Sequence, residues 1–227
     1  MGEIVFITGT DTGVGKTVLT ALLLQHLRQQ KIHALAMKPF CTGDRDDVKC
    51  LQALQPGEIS DSEMNPFYFR QPVAPLVAAR NSEKEVRLKD TIEKISMVKK
   101  RCDLLLVEGA GGVMVPLGIN FLTKDLIARL NCRVVVVARN SLGTINHTLL
   151  SASALKDCVE ERLAVVLMGQ EKNDASIRSN QEIIAKFLFP DSVFLIPYLK
   201  NISAQAGGFS KHEKKIKKTL AAIIGYV

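Results

Sequence analysis

Three short stretches of the chain carry residue types that together could handle a phosphoryl group. The first is Gly9-Thr10-Asp11-Thr12-Gly13-Val14-Gly15-Lys16-Thr17. Its glycines let backbone N–H groups curl around phosphate oxygens, and a helix beginning there would turn the positive end of its dipole to the same anion. Lys16 suits the β- and γ-phosphates, and the Thr17 hydroxyl suits magnesium. The stretch matches the phosphate-loop pattern G-x-x-x-x-G-K-[ST], except that five residues instead of four separate Gly9 from Gly15. The second stretch is Lys38-Pro39-Phe40-Cys41-Thr42-Gly43, followed by Asp44, Asp46 and Asp47. A second lysine beside such a loop can neutralise charge on a transferring phosphoryl group. Asp47 directly precedes the apolar pattern of a helix, so it reads equally as a metal ligand or as an N-cap. The third is Glu108-Gly109-Ala110-Gly111-Gly112, which ends the apolar run Leu104–Val107. A carboxylate at the end of a buried strand is costly unless a cation meets it. Glu108 therefore reads as a metal-side carboxylate; the alternative is a carboxylate satisfied by local backbone N–H groups.

Each stretch follows a strand candidate. Continuous apolar runs recur at 3–8, 33–38, 103–108, 133–138, 162–168 and 192–196, the pattern of strands buried on both faces. Helical patterns separate them at 16–30, 86–100, 121–130, 144–159, 175–188 and 211–224. This alternation predicts a doubly wound α/β fold, P-loop NTPase-like, with a mostly parallel sheet and helices on both faces. Ligands of such sheets bind at the carboxyl ends of the strands. Residues 39–82 interrupt the alternation and are expected to hold short helices around a loop. With no repeat or linker, residues 1–227 read as one domain. The fourth strand ends at Arg139 and leads into Leu142-Gly143-Thr144-Ile145-Asn146-His147 at a helix start, where carboxylates and phosphates bind. His147 reads as a structural histidine.

Composition narrows the class. Of 227 residues, 47% are hydrophobic and 23% charged, which excludes disorder and collagen-like sequence. No apolar run reaches the roughly 18 residues of a membrane helix. The first residues lack a basic segment and a long apolar segment, so a cytoplasmic location is expected. Five cysteines, an odd number with no C-x-x-C pair, read as free thiols and not as a zinc or disulfide framework. The net charge of +7 invites a nucleic-acid reading. However, residues 211–218 alone contribute +4, with lysines interleaved with Ile216, Leu220 and Ile223 at helical spacing. That fits the solvated face of an amphipathic terminal helix, so neither nucleic acid nor membrane is the expected partner.

Taken together, these segments resemble dethiobiotin synthetases. That family shares the five-residue spacing and the G-T-D-T-x-V-G-K-T run of residues 9–17, a K-P-x-x-[ST]-G segment (38–43), a V-E-G-A-G-G run (107–112) and L-G-x-I-N-H (142–147). The resemblance covers residues 3 to about 199. It implies an ATP- and Mg2+-dependent ring closure of 7,8-diaminopelargonic acid with CO2, through a carbamate and a carbamic-phosphoric anhydride. It also implies roles. Gly13, Val14, Gly15, Lys16, Thr17 and Val18 hold the phosphates, with Thr12 near the γ-phosphate. Lys16 and Lys38 embrace the phosphates, and Lys38 also holds the carbamate. Thr17, Asp47 and Glu108 bind magnesium, Glu108 through Gly109, Ala110 and Gly111 line the site, and Thr42 touches the substrate. Pro197, Tyr198 and Leu199 lie beside the base. Family members are homodimers in which Leu142, Gly143, Thr144, Ile145 and Asn146 of one subunit bind the substrate carboxylate in the other's site. One departure stands out. Where the family carries Asn-Asp to read adenine, this chain has Gly169-Gln170, with Asn173-Asp174 a few residues later. Weak discrimination among nucleoside triphosphates is expected, and Gly169→Asn is expected to restore it if the backbone tolerates a side chain. The rival readings are a partitioning-type ATPase, which would carry an early loop lysine where Thr10-Asp11 stand, and a nucleotide-binding regulator.

Overall fold

The computed structural model describes residues 3–159, 163–172, 174–200, 202 and 208–227. Arg162, expected to open a strand, and Asn173 lie outside the described residues. β1 (Glu3–Gly9) runs through the glycine-rich loop into α1 (Lys16–Gln29). β2 (Ala34–Met37) is followed by β3 (Phe40–Thr42), α2 (Asp46–Ala53), α3 (Asp61–Met64), β4 (Phe67–Phe69), α4 (Pro75–Asn81) and α5 (Leu88–Lys99). Next come β5 (Leu104–Gly112), β6 (Pro116–Gly118), β7 (Phe121–Leu122) and α6 (Thr123–Leu130). β8 (Arg133–Arg139), α7 (Thr144–Leu155), β9 (Leu163–Met168), a 3-10 turn (Ala175–Arg178), α8 (Asn180–Phe187), β10 (Val193–Ile196) and α9 (Gly208–Tyr226) complete the order.

The six long apolar runs become one sheet, ordered β10-β9-β8-β1-β5-β2, in which every pairing is parallel. Successive side chains of a strand face opposite sides, and every residue of β9 and the stretch Val134–Ala138 of β8 are buried. Both faces are therefore covered, which is why these strands read as unbroken apolar runs. The chain leaves β1 toward β5 and β2 on one side and toward β8, β9 and β10 on the other. The crevice at this switch point opens beside the carboxyl end of β1.

Segment 39–82 holds three short helices, as expected, and also the parallel pair β3–β4, which the sequence did not announce. Strands of three residues are too short to show a period; Phe40 and Phe67 stack across the pair with ring centroids 4.9 Å apart. The helix expected at 175–188 is divided into the 3-10 turn and α8. All five cysteines are free thiols. No helix among the described residues is long and apolar enough to cross a membrane.

α9 packs on α1 through Phe209, Ile216, Leu220 and Ile223, and its lysines 211, 214, 215, 217 and 218 are exposed. Among its apolar contacts sits a polar one. Glu213, fully buried, meets His26 of α1 with Oε1 2.8 Å from Nδ1, and its Oε2 has no partner among the described residues. Removing one member of a buried polar pair leaves the other desolvated and unmatched. Glu213→Ala should lower the unfolding free energy by about 2–4 kcal/mol. The double change His26→Leu/Glu213→Leu should recover most of that loss. Urea denaturation midpoints of the three proteins check this; a double variant as unstable as Glu213→Ala would contradict it.

Candidate active site

The glycine-rich loop leaves β1 at Gly9, where a Cβ would come within 2.9 Å of both Asp11 O and Val14 Cγ2. Only glycine fits so tight a return of the chain. Gly15, with φ 103°, occupies the left-handed region and caps α1 without a side chain, so the first N–H groups of the helix face the loop. Lys16 is buried and donates from Nζ to Asp11 O at 2.8 Å. Burial, joined by the charge of Lys38, lowers its pKa to about 8. Its ammonium sits in the loop with no anion strong enough to offset its desolvation. Val14 is buried and Val18 half-buried.

The β2–β5 register sets Met37 beside Val107, which places Lys38 and Glu108 side by side at the same sheet end. Lys38 Nζ lies 2.6 Å from Glu108 Oε1 and 2.6 Å from Asp47 Oδ2. The Thr17 hydroxyl donates to Glu108 Oε1 at 2.8 Å. Burial alone would depress the Lys38 pKa, but Glu108 and Asp47 overcome it and hold the ammonium firmly protonated. For Asp47, burial works upward, while the charge of Lys38 and hydrogen bonds from Lys38 and Thr17 keep its pKa below the usual range. Asp47 is the second residue of α2, whose N-cap is Arg45, so its carboxylate serves the lysine and not the helix end. Glu108 is fully buried, and its partners are side chains, not local backbone N–H groups. Its Oε2 is buried and has no partner among the described residues.

These residues fit a magnesium ion. The orphaned Glu108 Oε2, the Thr17 hydroxyl and the half-exposed Asp47 carboxylate are hard oxygen donors on one side of the loop. Among the described residues no group of three or more His, Cys, Asp or Glu could form a metal cage. Magnesium in phosphoryl-transfer sites takes one or two carboxylates, and phosphate and water complete its shell.

The glycines after Glu108 bring β5 against the loop. Gly9 pairs with Gly112, and a Cβ on Gly111 would lie 3.6 Å from Thr12 Oγ1. Gly109 and half-buried Ala110 complete this edge, and Thr12 stands exposed above it. Thr42 ends β3 between Lys38 and Asp47 in the chain and is half-buried; among the described residues no hydrogen bond ties it to them. Arg139, at the end of β8, leans over the loop, its Nη2 3.4 Å from Thr12 O and 3.3 Å from Gly13 O. The sequence offered no sign of that contact between residues 126 or more positions apart.

On the β9 side, Met168 packs against Gly15, where a Cβ would be 3.1 Å from Met168 Cγ. Gly169 lies directly under the chain that follows β10: a Cβ there would fall 2.5 Å from Tyr198 N and 2.9 Å from Pro197 C. This overturns the expected rescue by Gly169→Asn, because backbone fills the place of any side chain. Pro197 and Tyr198 are exposed and, with half-buried Leu199, border a cleft of about 520 Å³ against the start of α9. Gly143, with φ 91°, caps α7; Leu142 is 83% exposed, its N–H donating to Asp174 Oδ2 at 3.0 Å. Thr144 is buried, Ile145 half-buried and Asn146 exposed. No hydrogen bond among the described residues joins this helix start to the Lys38–Glu108 cluster. His147 is exposed and not, as expected, a packed structural residue.

Residues 3–206 match a family model described as an AAA domain. The ATP-dependent dethiobiotin synthetase BioD of Bacillus licheniformis is 35% identical over 204 residues, covering 87% of each chain. The protein of the same name from Methanocaldococcus jannaschii is 40% identical over 157 residues, 67% of this chain and 73% of that one. The chain belongs to the dethiobiotin synthetase family. The fold is wider than the family. A solved structure of pNOB8 ParA bound to nonspecific DNA is 14% identical, covers 99% of both chains and has a TM-score of 0.58; that likeness shows the fold alone. Within the synthetase family, the triad of Lys38, Asp47 and Glu108 is the part of this fold that leaves the phosphate loop and faces a second substrate.

Lys38 bonds both carboxylates but not the loop, so its removal should strike the reaction more than nucleotide capture. Lys38→Ala should lower turnover by roughly 10²–10³ while the ATP dissociation constant changes only a few-fold. Steady-state rates and equilibrium binding on the same preparation check this; turnover within a few-fold of the unmodified chain would reject the role.

Proposed function

We propose that the chain, an ATP-dependent dethiobiotin synthetase, closes the ureido ring of 7,8-diaminopelargonic acid with CO2 in one site between the phosphate loop and the ends of β2 and β5. An amine of the substrate adds to CO2 and loses a proton, giving a carbamate. A carbamate oxygen attacks the γ-phosphorus of ATP and ADP leaves, giving the mixed anhydride. The second amine attacks the carbonyl carbon and expels phosphate, closing the ring. No enzyme nucleophile is needed, and catalysis rests on positioning and charge. Magnesium, when bound, would supply Lewis-acid neutralisation of the phosphate oxygens. Thr17, Asp47 and Glu108 would hold it.

The observation that carries this reading is the Lys38 ammonium, held between Asp47 and Glu108 beside the loop. It is a fixed cation at the place where a carbamate must meet a γ-phosphate. Lys16 and the backbone from Gly13 to Val18 hold the triphosphate, Thr12 borders the γ-phosphate, and Thr42 touches the substrate. Pro197, Tyr198 and Leu199 flank the base. The free cysteines fit a cytoplasmic location. Two observations support a homodimer with shared sites. The α7 start is open to solvent and separate from the Lys38 cluster of its own chain. Large apolar side chains near it stand exposed, Leu142 by 83%, Leu150 by 62% and Phe187 by 71%. In a dimer, the N–H groups from Leu142 to Asn146 would take the substrate carboxylate of the neighbouring subunit. No specific observation favours the partitioning-type ATPase.

ADP release should require diaminopelargonate and bicarbonate together; release that ignores both, or that DNA stimulates, would overturn the synthetase reading. For the shared site, Lys38→Ala chains mixed with Gly143→Val chains should regain activity, since each heterodimer holds one site free of both lesions. No recovery in mixtures that demonstrably exchange subunits would show that each chain is complete alone.

A further inference from the structure

A nucleotide seated on the loop can send its base in two directions. Toward β5 and β2 the crevice is filled by Thr17, Lys38, Asp47 and Glu108. Toward β9, Met168 lies against Gly15 and the chain opens at Gly169–Gln170 beside the exposed Pro197 and Tyr198. The base therefore lies over the ends of β9 and β10.

Few polar groups remain to meet it there. Gly169 has no side chain and no room for one. Gln170 turns its amide back on its own strand, Nε2 donating to Met168 O at 2.8 Å and to Gly169 O at 3.2 Å. Two carbonyl acceptors fix which end of the amide is nitrogen. Met168 O also accepts the Asn140 N–H at 2.8 Å, so both of its lone pairs are engaged. What Gln170 offers outward is Oε1 alone, an acceptor with no hydrogen bond among the described residues.

We propose that Gln170 selects nucleoside triphosphates by the exocyclic amino group of the base. It favours adenine and cytosine, whose N6 and N4 amines donate, over hypoxanthine, guanine and uracil, which present a carbonyl at the same edge. An acceptor facing an acceptor forms no bond and stays desolvated. The site is partly open, with Tyr198 46% exposed, so the selection is modest and is superimposed on binding dominated by the triphosphate. The inference rests on the proposed seating of the nucleotide on the loop. It replaces a general lack of base preference with a patterned one.

Dissociation constants of the magnesium complexes of ATP, ITP, CTP and UTP, measured by calorimetry on the full chain, test it. ATP over ITP and CTP over UTP compare bases of equal size that differ at this edge. Both ratios should be about tenfold, about 1.4 kcal/mol. Gln170→Lys keeps a donor for the carbonyls of Met168 and Gly169 but presents no acceptor, and both ratios should fall to one or below. Ratios within twofold of one in the unmodified chain, or wild-type ratios retained by Gln170→Lys, would overturn the proposal. Binding needs neither diaminopelargonate nor bicarbonate, so a chain that fails the synthetase assay still returns these ratios.

Discussion

The site depends on one buried carboxylate. Glu108 ends the apolar part of β5 with no exposure to solvent, and an isolated charge there would cost several kcal/mol. The sheet register answers this by setting Lys38, one residue past β2, beside it. α1 adds the Thr17 hydroxyl, and the first turn of α2 delivers Asp47 to the same ammonium. Four elements are thereby tied to the carboxyl edge of the sheet before any ligand arrives. One Glu108 oxygen is left without a bond, and that oxygen faces the proposed magnesium position.

This arrangement divides the crevice. On the β5–β2 side lie the charged groups, held in fixed positions by short bonds. On the β9–β10 side lie backbone, a glycine pressed under the 197–198 segment, and one amide folded onto its own strand. Chemistry and base recognition thus occupy opposite flanks of the same loop. Residues on one flank can change while the other is preserved, which fits a chain that keeps the family's Lys38 and Glu108 segments but departs at Gly169–Gln170.

Much of this was legible in the sequence, for physical reasons. Strands buried on both faces must be apolar throughout, so all six central strands could be read from composition alone. The phosphate loop was legible because its glycines serve a local backbone geometry, and Glu108 because a charge closing an apolar run demands explanation. What escaped was non-local. The His26–Glu213 pair joins residues 187 positions apart, and neither residue breaks a helical pattern. The β3–β4 pair is too short to show alternation. Asp47 was divided between cap and ligand until the helix start fell on Asp46. The need for glycine at 169 comes from a backbone segment nearly thirty residues later, which no local pattern encodes.

If Lys38 neutralises the carboxylates that magnesium is proposed to use, lysine and metal compete for the same oxygens. The direct measurement is Mn2+ affinity, followed by electron paramagnetic resonance in the presence of ADP, for the unmodified chain and for Lys38→Ala. The variant, though poor in turnover, should bind the ion more tightly, by about tenfold or more, because removing the ammonium frees Glu108 and Asp47 and lifts a charge repulsion. Mn2+ affinity equal to or weaker than that of the unmodified chain would contradict the assignment of these carboxylates to the metal.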